Sequence, residues 1–166
     1  VEDECAWTPP ISLAAQIPNA TSGWGTILCD TYVNGSLVST YTCAFQLTVP
    51  ASVVPSISNV AFSEATSGIA DRFGGYVRTR SKLSVSITAT GAQGSSISAY
   101  RTSIGGVTYS GASFTTNTLI TAGSLTMTVT VTDSRGRTAS TTRTVTVLDY
   151  SPPSLSQFTA ERCNAD

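Results

Sequence analysis

Leu83-Ser84-Val85-Ser86-Ile87-Thr88-Ala89-Thr90 is the stretch that decides the fold. Aliphatic and hydroxyl-bearing side chains alternate through it almost without a break. Successive side chains on a strand point to opposite faces, so the pattern reads as a half-buried strand with one dry side and one wet side. The same alternation returns in Leu125-Thr126-Met127-Thr128-Val129-Thr130-Val131-Thr132 and in Thr144-Val145-Thr146-Val147. Between these two lies Asp133-Ser134-Arg135-Gly136-Arg137, in which Asp and Ser can bond nearby amides and Gly136 supplies a left-handed residue. The whole reads as a hairpin. Its dry side, with that of the first stretch, is Leu83, Val85, Ile87, Met127, Val129, Val145 and Val147.

Working outward, shorter strand candidates fall at 58–64, 74–79, 96–104, 107–110 and 114–120, each bounded by Gly, Ser or Asn, and no helical periodicity is visible. Strands recurring about every ten residues, with turn signals between them, indicate a sandwich or barrel. From residue 57 to 149 there is room for seven or eight strands in about 95 residues, the size and strand number of an immunoglobulin-like sandwich. The Cys…Trp…Cys core of antibody-type domains is absent.

Residues 1–50 also read as β-structure. Trp7, Ile11, Leu13 and Ile17 surround Pro9-Pro10, and runs at 27–33 and 38–49 are joined through Asn34-Gly35, a strong two-residue turn signal. Three or four strands leave an apolar face uncovered, so this piece is expected to be completed by upstream sequence or by a neighbouring chain. Prolines mark both boundaries, in Val49-Pro50-Ala51-Ser52-Val53-Val54-Pro55 and in Tyr150-Ser151-Pro152-Pro153, and favour stiff, extended connectors. Beyond the second, Ser154 to Ala160 alternate again. The fold class expected is all-β, tandem immunoglobulin-like β-sandwich modules: 1–50 the C-terminal part of one module, incomplete alone; 51–150 a complete sandwich; 151–166 a linker and the start of a further module. With no initiator Met and an abrupt end at Cys163-Asn164-Ala165-Asp166, the chain reads as a piece of something longer.

Composition agrees. The chain has 166 residues, enough for two modules with cores, and 11% are charged against 40% hydrophobic. Ser and Thr outnumber the charged residues, so the polar surface is largely hydroxyl. Net charge is −1 and the nine basic residues are scattered, which leaves no electrostatic footprint for nucleic acid. No apolar run approaches a membrane span. Cys5, Cys29, Cys43 and Cys163 are too few and too spread for a disulfide scaffold, and none has metal-ligand spacing. Cys29 and Cys43, in neighbouring strands, read as reduced core thiols, with a cross-strand disulfide as the alternative.

Catalytic chemistry finds no foothold. There is no histidine, which removes the commonest general base and metal ligand. The carboxylates are Glu2, Asp3, Glu4, Asp30, Glu64, Asp71, Asp133, Asp149, Glu161 and Asp166, several at turns or ends. Gly74-Gly75 and Gly105-Gly106 lack the context of a phosphate loop and read as turns. Asp133 reads as a turn cap rather than a calcium ligand. Asn19-Ala20-Thr21 and Asn34-Gly35-Ser36 match the glycosylation sequon without a context for it. Lys82, the sole lysine, has no obvious acidic partner for an isopeptide bond. Trp24, Tyr76, Tyr100, Tyr109 and Tyr150 are the aromatic residues able to stack on sugar or anchor a partner, each more readily a core-edge residue. No catalytic, cofactor or metal residue is assigned, no cofactor is expected, and no ligand-binding residue is named.

Four quoted segments carry a family resemblance: Thr48 to Ser58 (TVPASVVPSIS), Phe73 to Gly91 (FGGYVRTRSKLSVSITATG), Thr128 to Ser140 (TVTVTDSRGRTAS) and Leu148 to Leu155 (LDYSPPSL), with Trp7 to Ile27 ahead of the first connector. In this order they resemble the immunoglobulin-like repeats of minor structural tail proteins from long-tailed bacteriophages of Gram-positive hosts. The resemblance implies a non-enzymatic virion protein made in the bacterial cytoplasm, acting as a tail-associated spacer, decoration or host-facing element. Its implied partners are other copies of itself, other virion proteins and bacterial surface glycan, with no nucleic acid and no membrane. A carbohydrate-binding module and a Gram-positive surface adhesin repeat are the alternatives.

Overall fold

The computed structural model describes residues 7–159. Cys5, Cys163, Ala160 and the acidic residues Glu2, Asp3, Glu4, Glu161 and Asp166 lie outside the described residues. In chain order come a 3-10 helix (Ile11–Gln16), β1 (Ser22–Val33), β2 (Ser36–Thr48), β3 (Ser56–Glu64), α1 (Ile69–Phe73), β4 (Tyr76–Val77), β5 (Leu83–Thr90), β6 (Ile97–Ile104), β7 (Val107–Ser110), β8 (Ser113–Thr115), β9 (Gly123–Asp133) and β10 (Thr138–Leu148). The chain is all-β in several sheets. β1 and β2 form a ribbon of their own, while the rest divide into a five-stranded sheet, β4-β10-β9-β6-β7, and a three-stranded sheet, β3-β5-β8.

The two larger sheets enclose one core. Leu83, Val85 and Ile87 of β5 meet Met127 and Val129 of β9 and Val145 and Val147 of β10, joined by Val60, Ile104 and Leu119. Every residue that the alternation assigned to the dry side is at most 5% exposed. Burial of such side chains is worth about 1.5–3 kcal/mol apiece. Their neighbours Ser84, Ser86 and Thr88 face water. Sheet neighbours run antiparallel except β4, which lies parallel to β10 through Val147↔Tyr76 and Leu148↔Val77.

Several expectations are corrected. The 74–79 candidate is a strand only at Tyr76–Val77, because Arg80 N (3.2 Å) and Ser81 N (2.9 Å) both donate back to Val77 O and turn the chain. The 114–120 candidate ends as a strand at Thr115. From there Thr116 Oγ1 accepts from Leu83 N (2.9 Å), and Leu119 dips into the core, its N–H donating to Ser81 O (2.9 Å). Among the described residues one α-helix exists where none was expected, besides the 3-10 helix: α1, five residues between Gly68 and Gly74, both at positive φ (75° and 69°). It is too short to show a helical period in the sequence.

The described residues of 1–50 contribute two strands, where three or four were expected of the whole piece. The segment after Pro9-Pro10 winds into the 3-10 helix, started by Pro10, whose fixed φ of −66° suits that position. The hairpin stands as read: Asn34 (φ 48°) and Gly35 (φ 80°) form the two-residue, doubly positive turn. Cys29 and Cys43 are not core thiols; both are free and exposed, because among the described residues no second sheet covers the face they share. Their register, Ile27↔Cys43 and Cys29↔Tyr41, makes them diagonal neighbours rather than an opposed pair. Residues 151–159 are exposed and carry no strand. No helix among the described residues is long and apolar enough to cross a membrane.

Candidate functional site

The turn from Asp133 to Arg137 is built as the sequence suggested. Asp133 Oδ1 accepts from the backbone N–H of Arg135 (3.0 Å) and of Arg137 (2.9 Å). Its Oδ2 accepts from the Ser95 hydroxyl (3.0 Å), and Gly136 takes φ 80°. Asp133 is therefore a turn cap, and at 1% exposure a buried one.

What the turn presents outward was not foreseen. Both arginines fold onto the chain that precedes the larger sheets. Arg135, 7% exposed, donates from Nη2 to Ala14 O (2.7 Å) and Gln93 O (2.6 Å), from Nη1 to Ala92 O (2.7 Å) and from Nε to Ile17 O (3.2 Å). The backbone N–H groups of Ile17 (3.1 Å) and Ala20 (3.3 Å) already donate to Ala14 O and Ile17 O, so the guanidinium adds a second donor to each carbonyl at the end of the 3-10 helix, using the other lone pair. The Ser134 hydroxyl adds a bond to Pro18 O (2.6 Å). Arg137 grips the connector: Nη2 donates to Val49 O (2.5 Å), and Nη1 to Val53 O (2.8 Å) and to Pro50 O. A planar guanidinium with five fixed donors suits such carbonyl clusters, and buried charge is tolerable only when so solvated. Close packing accompanies the bonds, since a Cβ on Gly94 would stand 3.2 Å from the Ala15 backbone.

The opposite boundary is also held by arginines. Arg78 Nε pairs with Asp149 Oδ1 at 2.9 Å and Nη2 donates to Tyr150 O (3.4 Å). The Arg80 guanidinium lies 5.5 Å from the centre of the Tyr150 ring, which meets Phe73 edge-on at 5.6 Å. The chemistry of these places is adhesive: cations meeting carbonyls and an aromatic face.

The nominated aromatics are not brought together. Tyr76, Tyr100 and Tyr109 pack at the core edge, Tyr109 stacking on Phe114 at 4.9 Å and accepting from Asn117 N at 2.9 Å. Trp24 alone stands out, 76% exposed. It borders a groove of about 360 Å³ at the ribbon base with Trp7, Gln16, Thr26, Phe45 and Leu47. Trp7 meets Phe45 edge-on at 6.0 Å, and the Phe45 ring occupies the space above Gly25, where a Cβ would come within 2.6 Å.

Gly105 and Gly106, at φ 56° and 79°, form the β6–β7 turn, and Gly74 caps α1. Asn19, Asn34 and Lys82 are exposed. Glu64 Oε1 accepts from Thr66 N (2.8 Å) and from the backbone N–H of Lys82 (3.1 Å). Burial works to raise its pKa, but hydrogen bonds from the Ser81 hydroxyl, the two backbone amides and the Thr66 hydroxyl outweigh it and hold the carboxyl below its ordinary value. Tyr76 is pushed up by burial and by the charge of Glu64.

The class so defined is an all-β chain in which arginine–carbonyl contacts fasten a two-layer unit to the 3-10 helix segment and to the connector that precede it. The chain belongs to the family described as "Siphovirus protein of unknown function (DUF859)", whose match spans residues 1–166. No curated protein matches it significantly.

Proposed function

We propose that the chain is a non-enzymatic structural component of the siphovirus virion, a tail-associated spacer, decoration or host-facing element of a phage with a Gram-positive host. In this reading residues 51–150 are an immunoglobulin-like β-sandwich, 1–50 the later part of a preceding β-module and 151–166 a linker into the next. The strand orders support it: β3-β5-β8 against β4-β10-β9-β6-β7, with β4 parallel to β10, is an arrangement expected of such a sandwich. Its partners are other copies of itself or other virion proteins, and it resides in the tail after synthesis in the bacterial cytoplasm. Absence of histidine supports the lack of catalysis.

The observation that carries this reading is the double clamp at Arg135 and Arg137. A spacer needs its modules held at a fixed angle, and a turn that fastens both the preceding helix and the connector does that. Mass spectrometry of purified virions, with immunogold labelling, tests it. The protein is expected at the tail; its absence from particles would rule the reading out.

The groove between Trp7 and Trp24 favours a second reading, a carbohydrate-binding module for host-surface attachment. A glycan array probed with the full chain separates the two, since retention on wall polysaccharide lost in Trp24→Ala supports binding. A Gram-positive adhesin repeat shares the architecture, but siphovirus family membership weighs toward the virion.

A further inference from the structure

From Ser22 to Thr48 the ribbon carries one charged residue, Asp30, and no Lys, Arg or Pro. The Asp30 carboxylate is occupied by the Thr40 hydroxyl across the strands (2.6 Å). Apolar and aromatic side chains stand in the open along the same length: Leu28 is 66% and Tyr41 71% exposed, and Tyr32, Val33, Leu37 and Val38 are more than half exposed. The register sets Leu28, Tyr32 and Leu37 on one face and Tyr41 on the other, with Cys29 and Cys43. Both faces are thus bare. Among the described residues both edges are unpaired as well, because β1 and β2 bond only to each other.

Natural sheets guard free edges with lysine, proline or inward charge, and an isolated two-stranded ribbon is marginal in water. In this ribbon Asp30 and the bulge beside Thr31 and Tyr32 lie toward the tip, and the length from Ser22 to Cys29 with its partners Tyr41 to Thr48 has no such guard, while the outward positions of β5 present serine and threonine. With Leu28, Tyr32 and Leu37 on one face and Tyr41 on the other, each side of the ribbon leaves apolar surface for a further copy to cover.

We infer that the β1–β2 ribbon is a homotypic docking surface, covered by the same ribbon of further copies of this chain. Charge chooses the occupant: a surface with one charged residue offers nothing to an acidic or basic partner, whereas a second ribbon brings an equally uncharged surface. Length chooses it too. Edge strands of 12 and 13 residues are satisfied end to end only by a strand as long, and among the described residues the next longest edge strand, β3, has nine. Antiparallel pairing about a two-fold axis gives each ribbon its own copy as partner. A membrane is the weaker fit, because the apolar positions run down the ribbon to Leu28 and Tyr41 instead of stopping at the tip. The inference names the partner surface of the assembly proposed above and takes its biological setting from that reading.

Sedimentation velocity of the full chain over a concentration series tests it, beside Leu28→Lys and Tyr41→Lys. The wild-type chain is expected to sediment as an oligomer that dissociates on dilution, and each variant to shift to the single-chain mass with unchanged far-ultraviolet dichroism. A wild-type chain that stays monomeric, or an oligomer indifferent to both lysines, overturns the inference. A second measurement survives misfolded variants: in a C5S/C163S background, a short bis-maleimide is expected to yield covalent dimers through Cys29 and Cys43, and none forming also overturns it. So does a monomer that floats with phosphatidylcholine vesicles, which points to a membrane. Virion mass spectrometry keeps the two ideas apart: a monomeric chain found in particles sinks the ribbon interface alone, and a ribbon oligomer missing from particles sinks the virion reading alone.

Discussion

The guanidinium of Arg135 donates at 2.7 Å to the carbonyl of Ala14, a residue 121 positions earlier in the chain. Few single contacts in the molecule span so much sequence, and this one is buried. Its charge is solvated by the carbonyls of Ala14, Ile17, Ala92 and Gln93; the first three keep a backbone donor from Ile17, Ala20 and Ser95, so removing the guanidinium costs four charge-assisted bonds and the packing of a buried side chain. Arg135→Met is expected to cost about 3 kcal/mol in urea unfolding. Arg135→Lys should recover little of that, since three donors at a point cannot serve four carbonyls in a plane. Full stability in the lysine variant would show that charge, not the fork of donors, is what matters.

Arg137 acts on the connector instead. With its bonds to Val49, Pro50 and Val53 removed, the segment 49–55 loses its anchor while the core between the sheets keeps every apolar contact. Arg137→Ala is expected to cost only about 1–2 kcal/mol but to speed limited proteolysis within 49–55 several-fold. Equal cleavage rates in variant and wild type would mean that the prolines alone stiffen the connector.

How much of this was legible in the sequence divides along physical lines. Alternation is a local property, and it placed Leu83, Val85, Ile87, Met127, Val129, Val145 and Val147 in the core without error. The Asn34-Gly35 turn is equally local. The clamp is not: the sequence marks Arg135 and Arg137 as a turn, and their acceptors are backbone carbonyls, which every residue carries and which leave no trace in the amino-acid pattern. One signal was available. In a chain only 11% charged, two arginines share a five-residue turn with one carboxylate, and Asp133 is the sort of residue that spends its carboxylate on turn amides. Surplus donors of that kind need acceptors elsewhere. Cys29 and Cys43 were misread for the opposite reason, because a strand pattern says which face a residue is on but not whether anything covers that face.

Gly91 gives a sharper steric test. A Cβ there would lie 1.9 Å from the carbonyl oxygen of Ser95, a backbone atom that cannot swing aside. The loop it begins also supplies the Ala92 and Gln93 carbonyls to Arg135 and the Ser95 hydroxyl to Asp133. Gly91→Ala is expected to destabilise by about 3 kcal/mol and to loosen the clamp with it, visible as faster amide exchange at the 3-10 helix. A neutral Gly91→Ala would mean that the loop can take another path.

Thr102 points the other way. It is fully buried on β6, and its hydroxyl has no hydrogen-bond partner among the described residues. Valine has the same shape without the unsatisfied group, so Thr102→Val is expected to raise stability by about 1 kcal/mol in thermal unfolding. A loss of similar size would reveal a partner for the hydroxyl in solution.

Acid stability should trace in part to Glu64. Its carboxyl is held below the ordinary 4.5 in the folded chain, so near that pH the unfolded chain binds the proton more readily than the folded one. The contribution is therefore complete above about pH 4.5 and is lost as pH falls through the lower folded value. Glu64→Gln keeps an oxygen for the amides of Thr66 and Lys82 but has no proton to exchange. Urea midpoints measured between about pH 5 and pH 3 are expected to fall less steeply in the variant than in wild type. Tyr76, raised above 10 by its burial and by Glu64, sets the matching alkaline limb: its contribution holds below pH 10 and fades above it, and Tyr76→Phe should flatten that limb alone. Parallel acid curves for Glu64→Gln and wild type would show that the bonds to Ser81, Thr66 and Lys82 do not persist in solution.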